Sequence, residues 1–249
     1  MNHKYRTVFI SDVHLGSKGC KAEELARFLD EVECDYLFLV GDIIDTWAMK
    51  RSFYWPHEHS KILRKLIKLS KKTKVVYVPG NHDEMFREFG EINFGEIEIR
   101  HEYTHRLAGG RRAFVLHGDR FDHIILNRKW VAKIGSRVYE FLIWFNRVFN
   151  KVRRKLGLPY WSLSGYLKVK AKEAVKVIDT FEEAVTTYAR KEGYDYVVCG
   201  HIHQAEIKQR NGVTYANCGD WVESCTAIVE TTSGELKLLR NLTNLEDTI

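Results

Sequence analysis

No stretch of this 249-residue sequence approaches the roughly eighteen uninterrupted apolar residues of a membrane-spanning helix. Its opening, Met1 to Thr7, is polar and leads straight into an apolar strand, without the apolar core of a secretory signal. Together these absences predict a soluble, cytoplasmic protein. Close Cys-x-x-Cys pairs are missing too. The five cysteines, Cys20, Cys34, Cys199, Cys218 and Cys225, are odd in number, which argues against a disulfide framework and a zinc knuckle and for reduced structural thiols, with Cys199 in the core. What the chain does have is apolar residues at 45% of its length, enough for one sizeable core, so a single domain over 1–249 carrying an insertion is expected.

Strand and helix signals alternate along the first third. Tyr5 to Ser11, Asp35 to Val40 and Lys74 to Val78 read as buried strands. Between them, Lys21 to Val32 has apolar residues at Leu25, Phe28, Leu29 and Val32, and His57 to Lys72 at Ile62, Leu63, Leu66 and Leu69, the spacing of amphipathic helices. This β-α-β-α-β opening predicts a parallel sheet whose ligands gather at the C-terminal ends of the strands. Shorter runs follow at Ile97 to Ile99, Tyr103 to Leu107 and Ala113 to Leu116, then at Tyr196 to Cys199, Val213 to Ala216, Thr226 to Glu230 and Glu235 to Leu239. The expected fold class is α/β: a four-layer αββα sandwich of two mixed sheets, with a helical cap insertion at about 120–191.

That insertion is expected to be helical from Asp122 to Lys191, interrupted around Gly157-Leu158-Pro159. From Arg120 to Lys176 it holds fourteen Lys or Arg against three acidic residues, an excess of eleven in a chain whose net charge is only +6, so the remainder is acidic. A basic segment on a mildly acidic body suits a polyanionic substrate or surface. Its first half is also apolar, from Trp130 through Trp144 to Phe149. Three readings stay open: helices packing on one another with a solvated basic face, an acyl-chain groove or membrane-surface element beside Arg153-Arg154-Lys155, and a nucleic-acid surface.

Five short clusters, each just after a strand signal, consist almost wholly of oxygen and imidazole metal ligands: Ser11-Asp12-Val13-His14, Gly41-Asp42, Gly80-Asn81-His82-Asp83, His117-Gly118-Asp119 and Gly200-His201-Ile202-His203. Asp12 and His14, two apart in extended chain, point the same way and can hold one cation. A carboxylate at Asp42 can bridge two, and Asn81 offers a neutral amide oxygen. His117 and His201 supply imidazole nitrogens for the second cation, and His203 can return to the first. Two adjacent divalent cations imply hydrolysis of a phosphate ester or anhydride, because they acidify a water and spread charge at phosphorus. His82 is the candidate for protonating the leaving oxygen, with Asp83 orienting its imidazole.

In this order the clusters resemble the signature of the calcineurin-like metallophosphoesterase superfamily: Asp-x-His, Gly-Asp, Gly-Asn-His-Asp/Glu, a later His, and Gly-His-x-His. The resemblance spans Val8 to Asp220. It implies that Asp12, His14, Asp42 and His203 hold one metal and that Asp42, Asn81, His117 and His201 hold the other, with manganese common and iron or zinc found in some members. A nearer resemblance is to the UDP-2,3-diacylglucosamine diphosphatases of the lipid A pathway, carried by Phe9 to Leu15, Leu39 to Trp47, His117-Gly118-Asp119 with Asp122 after it, the basic and apolar insertion, and Gly219-Asp220-Trp221. It implies cleavage of a nucleotide-linked lipid to UMP and a lipid monophosphate at the membrane's inner face. It also implies that Asp122, Ser164, Lys168 and Lys172 contact the glucosamine or phosphates. That family has Arg where this chain has His82. The alternatives are a nuclease or phosphodiesterase using the same metals on nucleotides or nucleic acid, and a non-catalytic scaffold, which the complete set of ligand positions disfavours.

Overall fold

The computed structural model describes residues 3–122, 164–240 and 242. Strands β1 (His3–Ile10), β2 (Val32–Val40) and β3 (Lys74–Val78) each end in four consecutive buried residues, as parallel strands covered on both faces require. They pair in parallel register, Val8 opposite Leu37 and Leu37 opposite Val75. The first sheet is completed on one side by the antiparallel strands β11 (Ala227–Glu230) and β12 (Leu236–Leu239), and on the other by β5 (Ile97–Ile99) and β4 (Asn93–Phe94), giving the order β12-β11-β1-β2-β3-β5-β4. The second sheet has the order β6-β7-β8-β10-β9. It is built from β6 (Tyr103–Arg106), β7 (Arg112–Val115), β8 (Tyr196–Cys199), β9 (Glu206–Arg210) and β10 (Val213–Asn217). Here β7, β8 and β10 run parallel, and both edge pairs are antiparallel.

Alternation along each strand sorts its side chains into two cores. Phe9, Phe38, Val40, Val76 and Val78 of the first sheet meet Val115, Val198 and Ala216 of the second, with Phe9 and Phe38 stacked 5.0 Å apart. On the opposite face Val8, Ile10, Leu37, Leu39 and Val75 pack against α1 (Ala22–Glu31) and α3 (His57–Leu69) through Leu25, Phe28, Leu29, Ile62 and Leu66. The outer face of the second sheet meets the C-terminal end of α5 (Ser164–Lys191), where Tyr188 lies 5.5 Å from Phe114. The layers are therefore helix, sheet, sheet, helix, the α/β sandwich of two mixed sheets expected from the strand pattern.

Short elements fill the loops: α2 (Thr46–Arg51) after β2, α4 (Met85–Glu88) after β3 and a 3-10 turn, Asp119–Phe121, after β7. By packing, the chain divides into one unit of residues 1–120 and 185–249 and another of residues 121–184. Most of the second lies outside the described residues, including Trp130 to Phe149 and Arg153-Arg154-Lys155. Among the described residues no helix is long and apolar enough to cross a membrane. All five cysteines are free thiols, with Cys199, Cys218 and Cys225 buried and Cys20 and Cys34 half-buried.

Candidate metal centre

Parallel pairing brings the C-terminal ends of β1, β2 and β3 to one edge, and the backbone beyond them stays hydrogen-bonded. The Asp12 amide donates to the Gly41 carbonyl at 3.0 Å, and His14 to Asp42 at 2.9 Å. Beyond β7 and β8, the Gly200 amide donates to the His117 carbonyl at 3.1 Å. At this edge the sheets are tied by the His201 amide, which donates to Asp12 Oδ2 (3.0 Å), and by His117 Nδ1, which donates to the Val40 carbonyl (3.0 Å).

These ties orient the ligand atoms. Because His117 Nδ1–H is held by Val40, Nε2 is the ring nitrogen that faces Asp42 Oδ2, at 3.4 Å. One oxygen of Asp42 accepts the His82 amide at 2.8 Å, leaving the other toward His117. Asp12 likewise has Oδ2 braced by His201, while Oδ1 lies 3.1 Å from His203 Nε2 and 3.9 Å from His14 Nε2. Three groups of ligand atoms result among the described residues, Asp12 with His14 and His203, Asp12 with Asp42 and His117, and His14 with Asp45 and His82; within each, the atoms lie inside 4.8 Å of one another. The His201 ring stands edge-on to His117 at 5.1 Å between centroids.

The donor set fits divalent cations. Asp12 Oδ1, His14 Nε2, Asn81 Oδ1 and His117 Nε2 are buried without a hydrogen-bond partner, a costly state for polar atoms that a cation relieves. Mixed imidazole, carboxylate and amide donors suit first-row divalent metals. Asp12, His14, Asp42, His201 and His203 all have φ between 53° and 71°, the left-handed backbone that costs non-glycine residues about 1–3 kcal/mol each and clusters at functional sites. The cradle also depends on glycines. A Cβ at Gly41 would overlap the His117 ring, one at Gly80 the Asp42 carboxylate, and one at Gly200 that of Asp12.

The charges are mutually adjusted. Burial alone would raise the Asp42 carboxyl, but His117 and the hydrogen bond from the His82 amide hold it well below the usual carboxylate range. Burial would lower His117, yet Asp42 and Asp12 raise it to about 10. A cation binding between Asp42 and His117 must therefore displace a proton.

His82 is half-buried beside this cluster. Its Nδ1 lies 2.9 Å from Asp45 Oδ1 and its Nε2 4.0 Å from Asp42 Oδ2, with the Trp47 ring packed 4.4 Å away. Burial would lower its pKa, but the hydrogen bond to Asp45 and the Asp42 charge raise it. The expectation that Asp83 orients His82 is corrected here. The Asp83 carboxylate is fully buried and accepts the amides of Gly80 (2.5 Å) and Ile43 (2.7 Å) and the Tyr77 hydroxyl (2.5 Å). It braces the loops after β2 and β3, and burial together with Asp42 raises its pKa.

Asp45 was missed by sequence reasoning. Besides meeting His82, its carboxylate caps α2 through the Ala48 amide (2.7 Å) and lies 3.3 Å from His14 Nδ1. The signal was present as Asp-Thr-Trp three residues after Asp42, but a helix cap explains it equally well. Asn217 was missed as well; its buried amide donates to the Gly200 carbonyl (2.7 Å) and accepts the Gly219 amide (3.0 Å), fixing the turn that presents His201. Asp220 caps the turn at Val222 to Ser224, and the Trp221 amide donates to the Asp12 carbonyl (3.0 Å). Asp122 follows the Asp119–Phe121 turn, and Ser164, Lys168 and Lys172 recur every fourth residue along α5; the side chains of these three lie outside the described residues.

The chain is similar to UDP-2,3-diacylglucosamine hydrolases: 23% identical to that of Haemophilus influenzae (strain PittGG) over 97% of this chain and 100% of that protein. For Neisseria meningitidis serogroup B the figures are 25%, over 89% of this chain and 92% of that protein. It is also 24% identical to the DNA polymerase II small subunit of Thermoplasma acidophilum, over 85% of this chain and 44% of that protein. In fold it is similar to a hypothetical protein of Pyrococcus horikoshii, with a TM-score of 0.51 at 10% identity, covering 96% of this chain and 88% of the other. The sequence profile of the calcineurin-like phosphoesterases matches residues 5–205, from β1 past the last histidine of the pocket. By that match the chain belongs to the calcineurin-like phosphoesterases and is a metal-dependent hydrolase.

Proposed function

We propose that this hydrolase cleaves the pyrophosphate of a nucleotide-linked lipid resembling UDP-2,3-diacylglucosamine, releasing UMP and a lipid monophosphate. The observation that carries the reading is the alignment of two UDP-2,3-diacylglucosamine hydrolases along 97% and 89% of the chain, in a protein with grouped ligand atoms suited to two cations. Asp12, His14, Asp42 and His203 would hold one ion, and Asp42, Asn81, His117 and His201 the other; manganese is the ion proposed, with iron or zinc as alternatives. When bound, the ions supply an acidified water and positive charge for the phosphoryl oxygens.

The chain's own groups do the rest. Asp42, between His117 and the His82 amide, is kept anionic. His82, steadied at Nδ1 by Asp45, is kept protonated longer than a free imidazole, so its Nε2–H can be given to the leaving oxygen. Trp47 packs on the His82 ring and limits its rotation. Asp122, Ser164, Lys168 and Lys172 are proposed to contact the glucosamine or phosphates, and the basic, apolar segment at about 120–191, read as an insertion into one catalytic domain, to receive acyl chains at the inner face of the membrane.

The test is incubation of the manganese-loaded protein with UDP-2,3-diacylglucosamine and, in parallel, with UDP-glucosamine lacking acyl chains. UMP from the acylated compound alone is expected. No UMP from either, with turnover of a simple phosphodiester, overturns the lipid assignment. A second reading, a phosphodiesterase or nuclease acting on nucleic acid, draws on the likeness to the polymerase subunit and predicts substrate binding that weakens steeply with salt.

A further inference from the structure

A cleft of about 610 Å³ has His117 in its wall. It is formed by α4 and the loop after it, the segment following β5, and the His-Gly-Asp turn after β7. Its charged walls are Arg87, Glu91, Glu102, Asp119 and Arg120, with His101 beside them. Both arginines are already engaged. Arg87 forks onto Asp119 at 2.7 and 2.8 Å and donates to the Pro79 carbonyl at 2.5 Å. Arg120 pairs with Glu102, its guanidinium 4.3 Å from the Tyr188 ring.

The remaining polarity determines what can bind. Arg87 and Asp119, and Arg120 and Glu102, balance each other, and Glu91 lies 3.9 Å from Arg100 Nε, so among the described residues the cleft has no uncommitted cation to hold a phosphate and offers acceptor oxygens to hydroxyl and N–H donors. Leu116 is the one large apolar side chain in the wall, which is unsuited to acyl chains. The volume lies within the range of small-molecule sites, roughly 300–1,000 Å³. A ligand whose phosphate sits by His117 therefore has room in the cleft for a polar, uncharged group rich in donors, and a ribose carrying a base is such a group.

We propose that this cleft is the nucleoside subsite, taking the ribose and base joined to the phosphate held beside His117. The proposal rests on the nucleotide-linked substrate argued above and adds the place of its nucleoside. Glu102 and His101 are the residues assigned to meet it, Glu102 by accepting from hydroxyl or ring N–H groups while it also pairs with Arg120.

The experiment is calorimetric titration of the manganese-loaded full chain with UMP and with methyl phosphate, which share the phosphate and differ in the nucleoside. UMP is expected to bind about tenfold or more tightly, the size of one well-made hydrogen bond to a charged group. Glu102→Gln combined with His101→Ala should remove most of that advantage and leave methyl phosphate binding unchanged, which also reports an intact metal site. Equal affinity of the wild-type chain for the two ligands overturns the subsite, as does an equal loss for both ligands in the variant. The substrate reading fails separately: a chain that does not cleave UDP-2,3-diacylglucosamine yet prefers UMP through these residues keeps the subsite and loses the lipid.

Discussion

The imidazole of His82 is held on three sides, by Asp45 at Nδ1, Trp47 against its face and the edge of His14 at 4.7 Å, and neither ring nitrogen is among the buried, unpartnered atoms found at Asp12, His14, Asn81 and His117. Removing it should therefore leave the ligands in place. His82→Ala is expected to lower turnover by roughly 10²–10⁴-fold, the usual range for a lost general acid, with metal content near that of the wild type. Asp45→Asn should give a smaller loss and move the alkaline limb of the pH–rate profile to lower pH, since the carboxylate raises the His82 pKa and a general acid is lost once it deprotonates. Metal analysis beside steady-state rates checks both, and loss of metal from His82→Ala would make it structural. The candidate ligand residues stand out in the sequence because each follows an apolar run and lies next to a glycine or two residues from a second candidate. Asp45 and Asn217 were not, because they act through hydrogen bonds to other groups and their spacing follows no metal-ligand pattern.

At the scale of elements, legibility followed burial. β3, β5 and β8 lie where the apolar runs placed them, and α1 differs by one residue at each end. By contrast α3 stops at Leu69 instead of Lys72, where Ser70, Lys71 and Lys72 turn back on its last carbonyls. The elements not foreseen are short or half-exposed: α2, α4, β4 and the edge strand β9, whose Glu-Ile-Lys-Gln-Arg sequence has no buried face. Their pairing is fixed by neighbours and leaves little trace in periodicity. The end of β3 is where element and site meet. Gly80 lets this strand's exit pass against Asp42, so Gly80→Ala should cost about 1–3 kcal/mol in stability from overpacking and weaken manganese binding. Urea unfolding and metal titration of the variant measure the two effects, and a wild-type metal affinity would show that the close approach has no bearing on the centre.

Across the whole molecule, the two sheets are also joined away from the metal edge, through Glu230. Its buried carboxylate accepts two bonds from Arg6 at 2.8 Å, the Thr7 hydroxyl at 2.5 Å and the Ala108 amide at 2.6 Å, with His105 of the second sheet 3.5 Å away. Burial would raise this carboxyl; the His105, Thr7 and Ala108 bonds and the Arg6 charge outweigh it and bring the pKa from 4.5 to about 2. A depressed folded-state pKa stabilises above the unfolded value, so this contribution is complete above about pH 4.5 and is lost as pH falls toward 2. Glu230→Gln should lower stability at pH 7 by about 2–3 kcal/mol and flatten the acid limb of the stability profile. Urea unfolding from pH 7 to pH 3 tests this, and parallel acid limbs for variant and wild type would contradict it. No sequence pattern announced this cluster, since its members come from β1, β6, the turn before β7 and β11. The charge of 120–176 was plain in the sequence, but its role depends on tertiary partners that composition does not specify.

The proposed function turns on two cations sharing Asp42. Equilibrium dialysis of the metal-stripped chain against manganese, with electron paramagnetic resonance of the loaded protein, addresses it directly. Two manganese ions per chain with an exchange-coupled spectrum are predicted, and Asp42→Asn should abolish the coupling. A single ion per chain, or two magnetically isolated ones, would contradict a shared centre.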